Sequence, residues 1–180
     1  MRQIKFRGKN SKDEWVYGSL IINEAENEKG KFQVAFIVPG LPCASDGGNF
    51  YTARMERINI DTIGQFTGLL DKHGKRVFEG DILRVKEYKN LCWDLSKSRE
   101  ERDEMMRTFA LDDLKGELEK EYVSAVAVEE GTYCLSSNED YNDMYLSCLF
   151  GEMNGSMPIF DFEVIGNIHD DHKLLNHVVR

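Results

Sequence analysis

A chain of 180 residues, 41% hydrophobic and 11% aromatic, is long and apolar enough to bury a core without disulfide or metal staples. Its net charge of −9 withholds the broad cationic surface that nonspecific nucleic-acid binding requires. Ala35-Phe36-Ile37-Val38 is cut by Pro39-Gly40 before any run reaches membrane-spanning length, and the basic start Met1–Arg7 has no apolar region to act as a secretory signal, so a cytoplasmic protein with no membrane partner is expected.

In chain order, Gln3–Arg7 reads as a strand, Asn10–Glu14 as a polar turn and Trp15–Ile22 as the returning strand of a hairpin. The charged stretch Asn23–Lys31, ending at Gly30, reads as a loop before the strand Phe32–Val38, which Pro39-Gly40-Leu41-Pro42 stops. Cys43–Asn49, with Ser45-Asp46-Gly47-Gly48, reads as a flexible loop. A strand, Phe50–Ala53, follows it, so these glycines have no helix N-terminus with which to hold a phosphate. Arg54–Ile60 leads through Asp61-Thr62 into Ile63–Val85, a hairpin with punctuation at every corner. Asp71-Lys72-His73-Gly74 is its turn, with Gly74 placed to close a type I turn with a G1 bulge, and Glu79-Gly80-Asp81 is a sharp break before Ile82–Val85.

Beyond Val85 the character changes. Ser98 and Glu101 form a capping-box pair, and Met105, Met106, Phe109, Leu114 and Leu118 recur at helical spacing. The pattern predicts a helix over 98–111 and a second helix, or its continuation, over 112–121, weakened at Gly116. Its apolar face would cover a barrel end or meet another subunit. Strands return at Val123–Val128 and Thr132–Leu135 around the turn Glu129-Glu130-Gly131. After a loop over 136–143 come a short strand at Tyr145–Phe150, a loop over 151–158, a long strand Ile159–Ile168 and a helical turn over 170–176.

Few residues suggest chemistry. Cys43, Cys92, Cys134 and Cys148 contain no Cys-x-x-Cys pair and read as free, mostly buried thiols. His169-Asp170-Asp171-His172, with His177 nearby, has metal-ligand character but no second cluster to complete a site, and is expected to be a charged, solvent-facing turn. Glu139-Asp140 and Asp112-Asp113 are expected to be surface charges. Lys5 and Arg7 share one face of the first strand, expected to be solvated opposite Ile4 and Phe6. No catalytic, metal or cofactor residues are assigned.

The order Ile63-Gly64-Gln65-Phe66-Thr67-Gly68-Leu69, Asp71-Lys72-His73-Gly74-Lys75 and Phe78-Glu79-Gly80-Asp81-Ile82 resembles the signature of the YopX family of phage and prophage proteins. The opening Ile4-Lys5-Phe6-Arg7 with Trp15-Val16-Tyr17-Gly18, and the ending Phe162–Ile168 with Leu174-Leu175, resemble that family's start and end. The charged run 94–121 departs from the pattern as an insertion, and His169–His172 stands where the family more often has an aromatic and a proline. The resemblance implies a mainly β protein with small barrels and no known reaction. Together with the strand order it suggests an N-terminal β lobe over 1–70 and an SH3-like barrel lobe over 71–180 carrying the helical insertion. The signature positions Gly64, Gln65, Thr67, Gly68, Gly74, Gly80, Asp81, Gly166 and Asn167 are expected to be structural.

Three function classes follow. The favoured one is a non-catalytic accessory module of a phage or prophage that engages a host or phage protein, with homo-oligomerisation left open. The second is a nucleic-acid binder using Lys5, Arg7 and Lys9 with Trp15 and Tyr17 as stacking platforms. The third is a hydrolase built on His73 or His169 with nearby carboxylates.

Overall fold

The structure, a computed structural model, describes residues 4–40, 43–44, 50–51, 54–91, 97–136, 144–145 and 159–177. It is mainly β and falls into two compact units, one of Met1–Leu69 with Arg76–Glu79 and the other of Leu70–Lys75 with Gly80–Arg180.

The first unit holds β1 (Phe6–Lys9), β2 (Trp15–Asn27), β3 (Gly30–Val38), β4 (Cys43–Ala44), β5 (Phe50–Tyr51), β6 (Glu56–Ile58), β7 (Gly64–Leu70) and β8 (Arg76–Phe78). Six of them form one sheet in the order β6-β3-β2-β1-β7-β8, while β4 and β5 pair with each other. The charged stretch expected to be a loop is instead a ladder: β2 runs to Asn27, β3 begins at Gly30, and Asn27 pairs Gly30 across a two-residue turn. Composition misled there, because solvated charges on an exposed two-stranded ribbon cost a strand little. Val16, Ala35, Ile37 and Ile58 form the core on one face, with Leu20, Ile60 and Ile63 packed against it.

The second unit holds β9 (Asp81–Asn90), β10 (Lys115–Glu129), β11 (Thr132–Ser136), β12 (Met144–Tyr145) and β13 (Ile159–Asn167), all antiparallel in the order β12-β11-β10-β9-β13. Ile82, Leu83, Val85, Leu135 and Cys134 are fully buried in it. Glu130 at φ 48° and Gly131 at φ 78° make the two-residue turn between β10 and β11, both central residues having the left-handed backbone a type I′ turn needs.

Two sequence expectations are corrected. Among the described residues each sheet has two unjoined ends, so neither closes into a barrel. The second helix is absent: α1 covers only Arg99–Thr108, a 3-10 turn covers Leu111–Leu114, and β10 starts at Lys115. Leu118 pairs Tyr88 and Glu121 pairs Lys86, so the long neighbouring β9 supplies a ladder that outweighs helix propensity over 115–121. The capping box itself is present, with the Glu101 N–H donating to Ser98 Oγ at 3.2 Å and the Ser98 N–H to Glu101 Oε2 at 2.7 Å. Met105 of α1 packs, as Tyr88 does, against the buried pair Leu114 and Ile159, so the helix covers the sheet of its own unit. Of the loops expected over 43–49, 136–143 and 151–158, Cys43-Ala44 form β4 and Ser136 ends β11, while residues 45–49, 137–143 and 151–158 lie outside the described residues.

Candidate functional site

Polar residues of the signature are engaged with backbone. Asp71 Oδ1 accepts the N–H groups of His73 and Lys75, at 2.9 and 2.8 Å, and Oδ2 accepts that of Val164 at 3.0 Å. Burial pushes the Asp71 carboxyl up, but these three donors outweigh it and hold the group below its ordinary value. Asp71 thus ties the 71–75 turn to β13. Within that turn the Gly74 N–H donates to the Asp71 carbonyl at 2.9 Å with Gly74 at φ 78°, the geometry of the G1 bulge. Thr67 Oγ1 donates to the Val77 carbonyl at 2.9 Å, and the Glu79 N–H to the Gln65 carbonyl at 2.9 Å. Gly68 and Gly80 also have positive φ, while Gly64 faces the Glu79 carbonyl. Asn167 Nδ2 lies 3.5 Å from Asp81 Oδ1 in buried surroundings. Gly166 lies against Asp171 and Leu174, where a Cβ would come within 2.8 Å of each.

The N-terminal cations are placed differently from expectation. Arg7 and Lys9 are buried, Ile4 is exposed, and Lys5 and Phe6 are both half-buried, so the solvated-cation reading fails at Arg7. Arg7 places its guanidinium 4.7 Å from the Trp15 ring centre and 5.0 Å from that of Phe78, and donates to the Glu79 carbonyl at 2.9 Å. Lys9 meets Asp13 at 3.0 Å and lies 5.5 Å from the Trp15 ring. A weakly hydrated guanidinium between two rings gains cation–π attraction while its stem fills the core, which the alternation of one strand cannot reveal. Trp15 therefore stacks on the protein's own cations.

His73 does meet a carboxylate. Its Nε2 lies 3.3 Å from Glu163 Oε2, and Glu163 is also bound by Lys72 at 2.7 Å and Arg84 at 2.8 Å. The hydrogen bonds from Lys72, His73 and Arg84 hold the Glu163 carboxyl at about 2. Such a group is a weak general base, since effective bases titrate near the working pH. From Arg84 the charges continue to Glu121 at 3.6 Å and on to Lys86 at 3.5 Å. Register explains the alternation: Arg84 pairs Glu163, and Lys86 pairs both Glu121 and Asp161. Next along the sheet Lys115 bridges Asp161 at 2.7 Å and Asp112 at 2.5 Å. Burial lowers the Lys115 ammonium's value, but those two carboxylates outweigh it and hold it above the ordinary lysine range. This face is an electrostatic lattice whose charges answer one another. Sequence reasoning missed it because its members come from β9, β10 and β13 and the 71–75 turn.

The other candidates do not assemble. His169 and Asp171 lie in a turn where the His169 N–H donates to Asn167 Oδ1 at 2.9 Å and the Asn167 N–H to Asp171 Oδ2 at 3.3 Å. Among the described residues no group of three or more His, Cys, Asp or Glu could hold a metal ion. Cys134 is buried in β11, Cys43 is in β4, and Cys92, Cys148, Glu139 and Asp140 lie outside the described residues. No helix among the described residues is long and apolar enough to cross a membrane.

A two-unit antiparallel architecture with the signature hairpin shared between the units is accompanied by a family match. The YopX protein family model matches residues 5–176, and the chain belongs to that family. The crystal structure of protein EF1440 from Enterococcus faecalis is similar at 18% identity, with a TM-score of 0.49, over 97% of this chain and 99% of that one. No curated protein matches the chain.

Proposed function

We propose that this YopX-family chain is a non-catalytic accessory module of a phage or prophage, acting in the cytoplasm by engaging a host or phage protein. The observation that carries the reading is the outer face of the β2–β3 ribbon, where Ile21 and Phe32 are each 38% exposed on the side away from the core. Large apolar side chains held on a rigid ladder suit recognition of another protein. Supporting it, the ionic groups that catalysis would recruit around His73 are bound to one another. The second unit, in this reading, is an opened relative of an SH3-like barrel carrying α1 as an insertion between adjacent strands β9 and β10.

The test is affinity capture from phage-carrying cells with chemical cross-linking, comparing the wild type with the double variant Ile21→Ser/Phe32→Ser. A partner retained by the wild type and lost by a variant with an unchanged melting temperature is the expected result. Equal retention by both sinks this assignment of the surface. Nucleic-acid binding is the second reading, and it now rests mainly on Lys5, since Arg7 and Lys9 are buried. A steep fall of oligonucleotide affinity with salt would favour it.

A further inference from the structure

Among the described residues, strand β3 is paired on one side along its whole length by β2, but on the other side only at Ala35–Ile37, by β6. In an antiparallel pair the residues alternate in the direction of their backbone groups. Asn27 and Gly30 flank a two-residue turn and point toward each other, so Phe32, Val34 and Phe36 also direct N–H and C=O toward β2. Lys31, Gln33, Ala35 and Ile37 direct theirs the other way. Ala35 and Ile37 meet Ile58 and Glu56 of β6. Lys31 and Gln33 point past the end of β6, because the chain leaves the sheet at Asn59, whose N–H turns to the Lys9 carbonyl at 2.8 Å.

The vacated place is a cleft of about 430 Å³ lined by Asn10, Gln33, Val34, Arg57 and Asn59 among others. Arg57 is exposed, and it makes no ion pair among the described residues. Arg57 lines this cleft and Lys31, which pairs Glu26 of β2, stands on the open stretch of β3, so the edge offers backbone donors and acceptors beside the Arg57 cation. Lys31 also guards it, since a lysine on an open edge discourages pairing with an identical edge, where like charges would meet.

We propose that this edge takes an extended, acidic peptide segment of a partner protein as an added strand, its backbone pairing with Lys31 and Gln33 and a carboxylate reaching Arg57. The proposal rests on the reading of the chain as a protein-binding module, and names the edge and chemistry of that contact. Strand addition supplies affinity through main-chain hydrogen bonds and selectivity through alternate side chains. An acidic side chain beside Arg57 gains a charge-assisted, bidentate partner.

The experiment presents the full chain to an array of octapeptides in which β-branched residues alternate with acidic, neutral or basic ones. Retention of the acidic set is expected, with a loss of tenfold or more in Gln33→Pro and in Arg57→Glu. Proline at position 33 removes only an outward N–H, so Gln33→Pro should keep the wild-type melting temperature, whereas Phe32→Pro breaks a bond to β2 and should lower it sharply. Equal melting losses in the two proline variants would refute the edge geometry. Equal peptide retention by wild type and Gln33→Pro, or no preference for acidic peptides, overturns the proposal. So does a dimer in sedimentation that Gln33→Pro dissociates, which makes a second copy the occupant, or retention of a thymidine 20-mer that Arg57→Glu abolishes. An empty array alongside a captured partner that needs Ile21 and Phe32 would remove the edge proposal and leave the module reading standing.

Discussion

The carboxylate of Asp71 accepts the backbone N–H of Val164 at 3.0 Å, across 93 residues of sequence. With the N–H groups of His73 and Lys75 on its other oxygen, one side chain closes a turn and fastens it to β13. Asp71→Ala should destabilise the protein by about 3 kcal/mol, because three backbone donors lose a charged acceptor in a buried place. Urea melts measure it, and a change below about 0.5 kcal/mol, the scale of ordinary surface substitutions, would refute this role.

Gly80 should be intolerant of a β-branched residue for a conformational reason. Its φ is 78°, and a Cβ there would meet Ile168 no closer than 3.4 Å, an ordinary contact. Strain of the backbone, rather than collision, is therefore the cost. Gly80→Val is expected to lower stability by about 3 kcal/mol, with Gly80→Asn costing less because asparagine tolerates the left-handed region. Denaturant midpoints of the two variants compare them directly.

Glu163 predicts an acid limb. Its folded-state value of about 2 lies below its ordinary 4.5, so the folded state holds its proton less tightly than the unfolded one. Its contribution is complete above pH 4.5 and is lost as the pH falls toward about 2. Asp71, also held below its ordinary value, adds to the same limb. Stability measured from pH 6 to pH 2 should fall less steeply in Glu163→Gln than in the wild type, and added salt should narrow the difference, because the ion pairs are partly exposed. Parallel curves would show that the cluster is not coupled to folding.

Helix α1 provides the fourth prediction. Met105 packs against the Leu114 and Ile159 cluster, whereas Phe109 is 49% exposed. Met105→Ala should cost about 2 kcal/mol, at the lower end for methionine truncation because the side chain is only partly buried. Phe109→Ser should fall within about 0.5 kcal/mol of the wild type. Melting curves that rank the two in the opposite order would mean that α1 packs by a different face.

Local signals were legible in the sequence by themselves. The Ser98/Glu101 capping box, the positive-φ glycines at the 71–75 and 129–132 turns, and the strand-rich character depend on neighbours within a few residues, whose chemistry is fixed by order along the chain. The tertiary structure decided whatever depended on a partner far away in sequence. Residues 115–121 carry helix formers, yet Lys115, Leu118, Lys120 and Glu121 pair with β9, because a long adjacent strand offers ladder hydrogen bonds that the local sequence does not reveal. Arg7 and Lys9 look like solvent-facing charges until Trp15 and Phe78 close over them. Lys72, His73, Arg84, Glu121 and Glu163 become one lattice only when register brings their strands together, since Coulomb attraction acts through space and is blind to sequence separation.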